Sequence, residues 1–103
     1  MERFGLTEKQ WSTIEKAVSR FEGIEEVVLF GSRAMGNHKP GSDVDLAIKG
    51  KNVSMELSSL LNEELPLPHH FDVVHYGSLE SESLIQHIDE QGVVLFGGDG
   101  NDF

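Results

Sequence analysis

Cysteine is absent from these 103 residues, so the chain has neither a disulfide framework nor a thiolate metal site. No apolar run approaches the ~20 residues that a membrane-spanning helix needs, and the first residues lack a secretory-signal pattern. No membrane association is expected, and a cytoplasmic location is. Basic residues are scarce: eight Lys and Arg face eighteen Asp and Glu, for a formal charge of −10. That surface repels a nucleic-acid backbone, so no direct nucleic-acid contact is expected, and a basic protein partner is favoured. What is present is a 38% apolar fraction, enough for one core. One domain is expected over residues 1–97. Residues 98–103, rich in Gly, Asp and Asn, have little to bury and are expected to form a flexible tail.

Apolar spacing orders the rest. Thr7-Glu8-Lys9-Gln10 is a capping-box pattern, and Trp11, Ile14, Val18 and Phe21 follow at helical spacing, predicting a helix over 7–22. Strands are expected over 26–30, 44–49, 71–76 and 93–96. A short helical turn is expected over 33–36. A second helix is predicted over 54–65 with Met55, Leu57, Leu60 and Leu61 inward, stopped by Pro66 and Pro68. A third is predicted over 79–91, capped by Ser78, with Leu84, Ile85 and Ile88 as its apolar positions. This alternation implies an α/β (α+β) architecture: a mixed central sheet of about four strands with helices packed on it.

The chemistry concentrates in Gly31-Ser32-Arg33-Ala34-Met35-Gly36 and Gly41-Ser42-Asp43-Val44-Asp45-Leu46. An apolar strand runs into a Gly-Ser turn, and a polar loop returns to a strand carrying acids at i and i+2. Residues two apart share a strand face, so Asp43 and Asp45 should look into one cleft while Val44 and Leu46 enter the core. Asp72 opens a later apolar strand, and joins that pair if the two strands are neighbours. Three hard-oxygen donors suit Mg²⁺, and two ions roughly 3.5–4 Å apart fit such a set. One ion would contact the triphosphate, and the second would lie between Asp43, Asp45 and Asp72. Asp72 is also a candidate general base. The Gly-Ser turn offers backbone N–H groups to phosphate.

Other motifs fail. Asn37-His38 stands where a P-loop needs Lys and Ser/Thr, and Ala47 stands where an EF-hand needs a ligand. The five histidines make no zinc pattern, and no nucleophile elbow is present.

The order Gly31-Ser32, Gly36, Ser42, Asp43, Asp45 and distal Asp72 resembles the DNA polymerase β-type nucleotidyltransferase superfamily, in particular its minimal nucleotidyltransferases. The resemblance covers nearly the whole chain. It implies catalysis and metal binding by Asp43, Asp45 and Asp72, with nucleotide binding at Gly31, Ser32, Arg33, Gly36 and Ser42. Gly31 would admit the backbone to the phosphates, and Ser32 would supply a hydroxyl and an N–H to them. Arg33 would neutralise leaving pyrophosphate, the alternative being a surface position or a pair with an acid. Gly36 would permit the turn back to the next strand. Ser42 would either orient Asp43 or cap the loop.

The chain stops at Phe103 with no acceptor-binding helical domain, so the acceptor is expected on another copy or another protein. Small members of the family pair with HEPN-type helical toxins, implying a hetero-oligomer or homo-oligomer. The implied reaction is Mg²⁺-dependent transfer of AMP from ATP to a partner hydroxyl, that of a tyrosine, making the chain an antitoxin. The alternatives are neutralisation by occlusion without catalysis and nucleotide transfer to a small molecule.

Overall fold

The computed structural model describes residues 2–97, and the expected tail 98–103 lies outside the described residues. The elements are β1 (Glu2–Arg3), β2 (Leu6–Thr7), α1 (Glu8–Val18), β3 (Ile24–Phe30), α2 (Ser32–Met35) and β4 (Val44–Gly50). They continue with α3 (Ser54–Ser59), a π-helical turn (Leu60–Glu64), β5 (Phe71–His75), a 3-10 turn (Tyr76–Ser78), α4 (Glu82–Gln91) and β6 (Val93–Gly97). β3 and β4 form the centre of a sheet ordered β5-β4-β3-β6. β3 runs antiparallel to β4 and β6, whereas β4 and β5 are parallel, so the sheet is mixed as expected. No helix among the described residues is long and apolar enough to cross a membrane.

Strand alternation divides the core. Val27 and Leu29 of β3, Val44, Leu46 and Ile48 of β4, and Phe71 of β5 meet Trp11 and Ile14 of α1 and Leu57, Leu60 and Leu61 of the second helical segment. On the opposite face, Val28, Phe30 and Ala47 meet Ile88 of α4. Asp45 and Asp72 belong to the α4 face by the same alternation.

The first helix starts as its capping box predicts: the Gln10 N–H donates to Thr7 Oγ1 (3.1 Å), and the Thr7 N–H donates to Gln10 Oε1 (2.9 Å). It ends at Val18 rather than near residue 22. The N–H groups of Arg20 and Phe21 donate to carbonyls three residues back, tightening the last turn before Gly23 at φ +95°. Phe21 still packs against the core, delivered by that turn.

The β1–β2 hairpin is an element that apolar spacing did not announce. Its tip, Phe4-Gly5, has φ +57° and +83°, the double positive φ of a type I′ turn. Trp11 fastens it, donating from Nε1 to the Arg3 carbonyl at 2.9 Å and meeting the Phe4 ring edge-on.

Two further expectations are corrected. Met55 points outward at 82% exposure, because two residues of helix separate it from Leu57 by about 200° of rotation. The third helix starts at Glu82 under Ser81, whose Oγ accepts from the Leu84 N–H, not at residue 79 under Ser78. The Ser78 hydroxyl instead bonds His75 Nδ1 (2.7 Å), and Leu79 is extended.

Candidate active site

Asp45 and Asp72 are register partners across the parallel β4–β5 ladder, and Asp43 lies two residues before Asp45 at the mouth of β4. The two strands thus carry the three acids to one edge of the sheet. Asn62, in the π-helical turn, secures the start of β5: its Nδ2 donates to the Phe71 carbonyl (2.8 Å) and its Oδ1 accepts the Phe71 N–H (2.7 Å). The residue before Asp72 is therefore held through both backbone groups.

Asp43 and Asp72 are exposed and Asp45 is half-buried. Burial raises the Asp45 pKa, and repulsion from Asp72 and then Asp43 raises it further, against smaller opposing effects of His87 and Arg33. A cluster of like charges held by its backbone is relieved by a cation, and every donor in it is a hard oxygen, so the set fits Mg²⁺ by its chemistry. In the present rotamers, no three His, Asp or Glu side chains among the described residues converge on one metal position. Ligation by all three acids requires side-chain rotation, which exposed Asp43 and Asp72 are free to make.

Gly31 has φ +80° and ψ −158°, a region essentially restricted to glycine. A Cβ there would overlap Asp45 Oδ2, so the missing side chain makes room for the acid. The Gly31 N–H donates to His87 Nε2 at 2.9 Å, and its carbonyl accepts the Met35 N–H at 3.2 Å. Its polar backbone groups are thus engaged within the protein, and what it admits here is a carboxylate. Ser32 opens α2 half-buried, and its carbonyl accepts the Asn37 N–H. Gly36 ends α2 as a left-handed cap at φ +81°, which supplies the expected turn back toward β4.

Arg33 is not the surface residue that one reading of it expected. It is 1% exposed, and its guanidinium donates to backbone carbonyls: Nη1 to Phe4 (2.8 Å), Nε and Nη2 to Ser42 (3.2 and 2.8 Å), and Nη2 to Pro40 (3.4 Å). The side chain clamps the loop leading to Asp43 onto the N-terminal hairpin, so it does not lie on the surface. Desolvation lowers its pKa, while Asp43 and Asp45 act in the opposite direction. Ser42 caps the loop: its Oγ accepts the Lys39 N–H at 2.9 Å.

His87 was missed in the sequence. It comes from α4, 56 residues from Gly31, and its ring meets Phe30 edge-on at 6.1 Å. The available signal was its place next to Ile88 and three residues after Leu84 on the sheet-facing side of α4.

A Gly-Ser turn against an acid-x-acid strand, with a third acid on the adjacent parallel strand, defines a nucleotidyltransferase fold. The chain belongs to the Polymerase beta, Nucleotidyltransferase family, whose model matches residues 12–101. Among solved structures, it is similar to a chain in the crystal structure of a toxin-antitoxin with AMP-PNP, at 27% identity and TM-score 0.71, covering 86% of this chain and 74% of that one. It is also similar, at 25% identity and TM-score 0.64, to a chain of the tri-AMPylated Shewanella oneidensis HEPN toxin in complex with MNT antitoxin, covering 87% and 71%. A nucleotidyltransferase structure from Sulfolobus solfataricus shares the fold at 22% identity and TM-score 0.60, covering 92% and 84%. No curated protein matches the chain.

Proposed function

We propose that this chain is an antitoxin that transfers AMP from ATP, with Mg²⁺, to a tyrosine hydroxyl of a HEPN-type helical partner. The observation that carries the reading is the Asp45–Asp72 register with Asp43 at the same strand mouth, against a turn that only glycine can make. The similarity to a toxin-antitoxin with AMP-PNP supports the nucleotide, and the similarity to the AMPylated HEPN toxin complex supports the transferred group and the partner.

In this reaction, the tyrosine oxygen attacks the α-phosphorus, a new O–P bond forms, and the bond to the β-phosphate-bearing oxygen breaks. Pyrophosphate leaves with that electron pair. Asp43 and Asp45 would hold the ion on the triphosphate, and Asp72 would complete the second ion's ligands and accept the hydroxyl proton. Bound Mg²⁺ would neutralise phosphate charge and lower the pKa of the acceptor hydroxyl. Ser32 supplies its hydroxyl toward the phosphates, and Gly31 keeps Asp45 beside them. Arg33 acts on the reaction by holding the loop that delivers Asp43.

Incubating the purified chain with labelled ATP, Mg²⁺ and a HEPN-type protein encoded beside it tests the reading. An AMP adduct on a partner tyrosine, seen by intact mass and peptide mapping, is the expected result. A stable complex with no adduct would replace catalysis by occlusion. The absence of both complex and adduct would overturn the antitoxin assignment.

A further inference from the structure

Gly31 is constrained by two elements at once. Its Cα face lies against the Asp45 carboxylate, where no Cβ fits, and its N–H is taken by His87 Nε2 at 2.9 Å. The strand ladders do not supply that bond. The β3–β4 register ends with Phe30 opposite Asp45, and the β3–β6 register ends with Leu29 opposite Val93. Gly31 therefore lies one residue beyond one ladder and two beyond the other. An amide at that place has no ladder partner, and α4 brings a side chain that accepts from it.

We propose that His87 is a positioning residue of the transfer site: by accepting the Gly31 N–H, it holds the turn that sets the Asp45 carboxylate. This rests on the functional reading above and deepens it. The bond requires a neutral imidazole with its proton on Nδ1, because Nε2 must present a lone pair. The ring is held by edge-on contact with Phe30, which is also the cross-strand partner of Asp45. His87 thus acts on Asp45 through the Gly31 backbone, and the Phe30 contact holds its ring in place to do so. Packing alone would be served by any aromatic residue at this position. What imidazole adds is an acceptor without charge. A lysine or arginine beside Asp45 would pair with the carboxylate and compete with a metal ion for it.

Two variants of the full-length chain separate acceptor from ring. His87→Phe keeps a ring against Phe30 and removes the acceptor. His87→Gln places an amide oxygen near the position of Nε2 and removes the ring. Hydrogen exchange at the Gly31 amide, followed by NMR on labelled protein, reads the bond directly. In His87→Phe, the Gly31 amide is expected to exchange at least ~10-fold faster while Val28 and Leu29 stay protected. AMP transfer is expected to fall by about 10–100-fold in kcat, with KM for ATP changed less than about twofold. His87→Gln is expected to restore Gly31 protection and most of kcat.

Wild-type protection of Gly31 in His87→Phe overturns the proposal, as does a glutamine variant no better than phenylalanine. Faster exchange spread evenly over β3 and α4 also overturns it, because His87 would then only hold the fold. If the wild-type chain transfers no AMP, the functional reading fails by itself. Gly31 exchange, which needs no nucleotide, then decides whether His87 holds the turn.

Discussion

The two faces of one sheet do different work. The face toward α1 and α3 gathers seventeen buried apolar residues among those described, from Leu6 of the hairpin to Phe96 of β6. The α4 face buries four, Val28, Phe30, Ala47 and Ile88. Helices and a hairpin cover the first face, while α4 covers the second only in part and leaves Asp45 and Asp72 at the uncovered end. Alternation along β4 lets neighbouring residues serve opposite ends: Leu46 is fully buried while Asp45 beside it stays half-open. Stability can therefore be concentrated on one face without filling the space that chemistry needs on the other.

The sharpest way to test this division is to change adjacent residues. Asp45→Asn should reduce AMP transfer by about 10³-fold or more while leaving the thermal midpoint of the metal-free chain equal or higher. Comparable losses of activity and folding would show that the faces are not separable. Leu46→Ala should do the reverse, costing about 2–5 kcal/mol of stability in urea titrations, with the remaining folded fraction still active.

Arg33→Met asks whether the loop belongs to the stable region or to the site. Removing a buried guanidinium strands the carbonyls of Phe4, Pro40 and Ser42, so a loss of about 1–3 kcal/mol is expected with a drop in kcat from misplaced Asp43. Wild-type stability in that variant would mean that water replaces the clamp.

The smallest effect is in pH. The Asp45 pKa is raised in the folded chain, so the folded state holds its proton more tightly than the unfolded state does. That contribution is fully present below the unfolded value of about 3.8 and is lost as pH rises through the higher folded value. Metal-free stability from Asp45 should therefore decline with rising pH in that window. Asp45→Asn should flatten the decline in urea midpoints measured across it.

Much of the acidic edge was legible in the sequence, because its signals are local. A run of four apolar residues, Gly31-Ser32 and an i, i+2 acid pair are short-range patterns that a strand and a turn read out directly. The adjacency of Asp72 followed from fold resemblance rather than spacing, and the register bears it out. The hairpin was illegible because two-residue strands are too short to show a period. The burial of Arg33 was not legible because an arginine is normally solvated, and nothing nearby in the chain shows three carbonyls converging on it. His87 acts across 56 residues, a distance that no local pattern spans. Ser78 was expected to cap the third helix, but His75 holds its hydroxyl and Ser81 caps the helix instead.

The Arg33 clamp also sets the order in which parts of the molecule can come loose. One guanidinium bonds the hairpin tip at Phe4 and the loop at Pro40 and Ser42, so opening either segment breaks bonds to the same buried side chain. Surface loops and short terminal hairpins ordinarily fray separately at little free-energy cost. Here both are tied to one buried side chain, so a displacement of the hairpin that moved the guanidinium would reach the loop before Asp43.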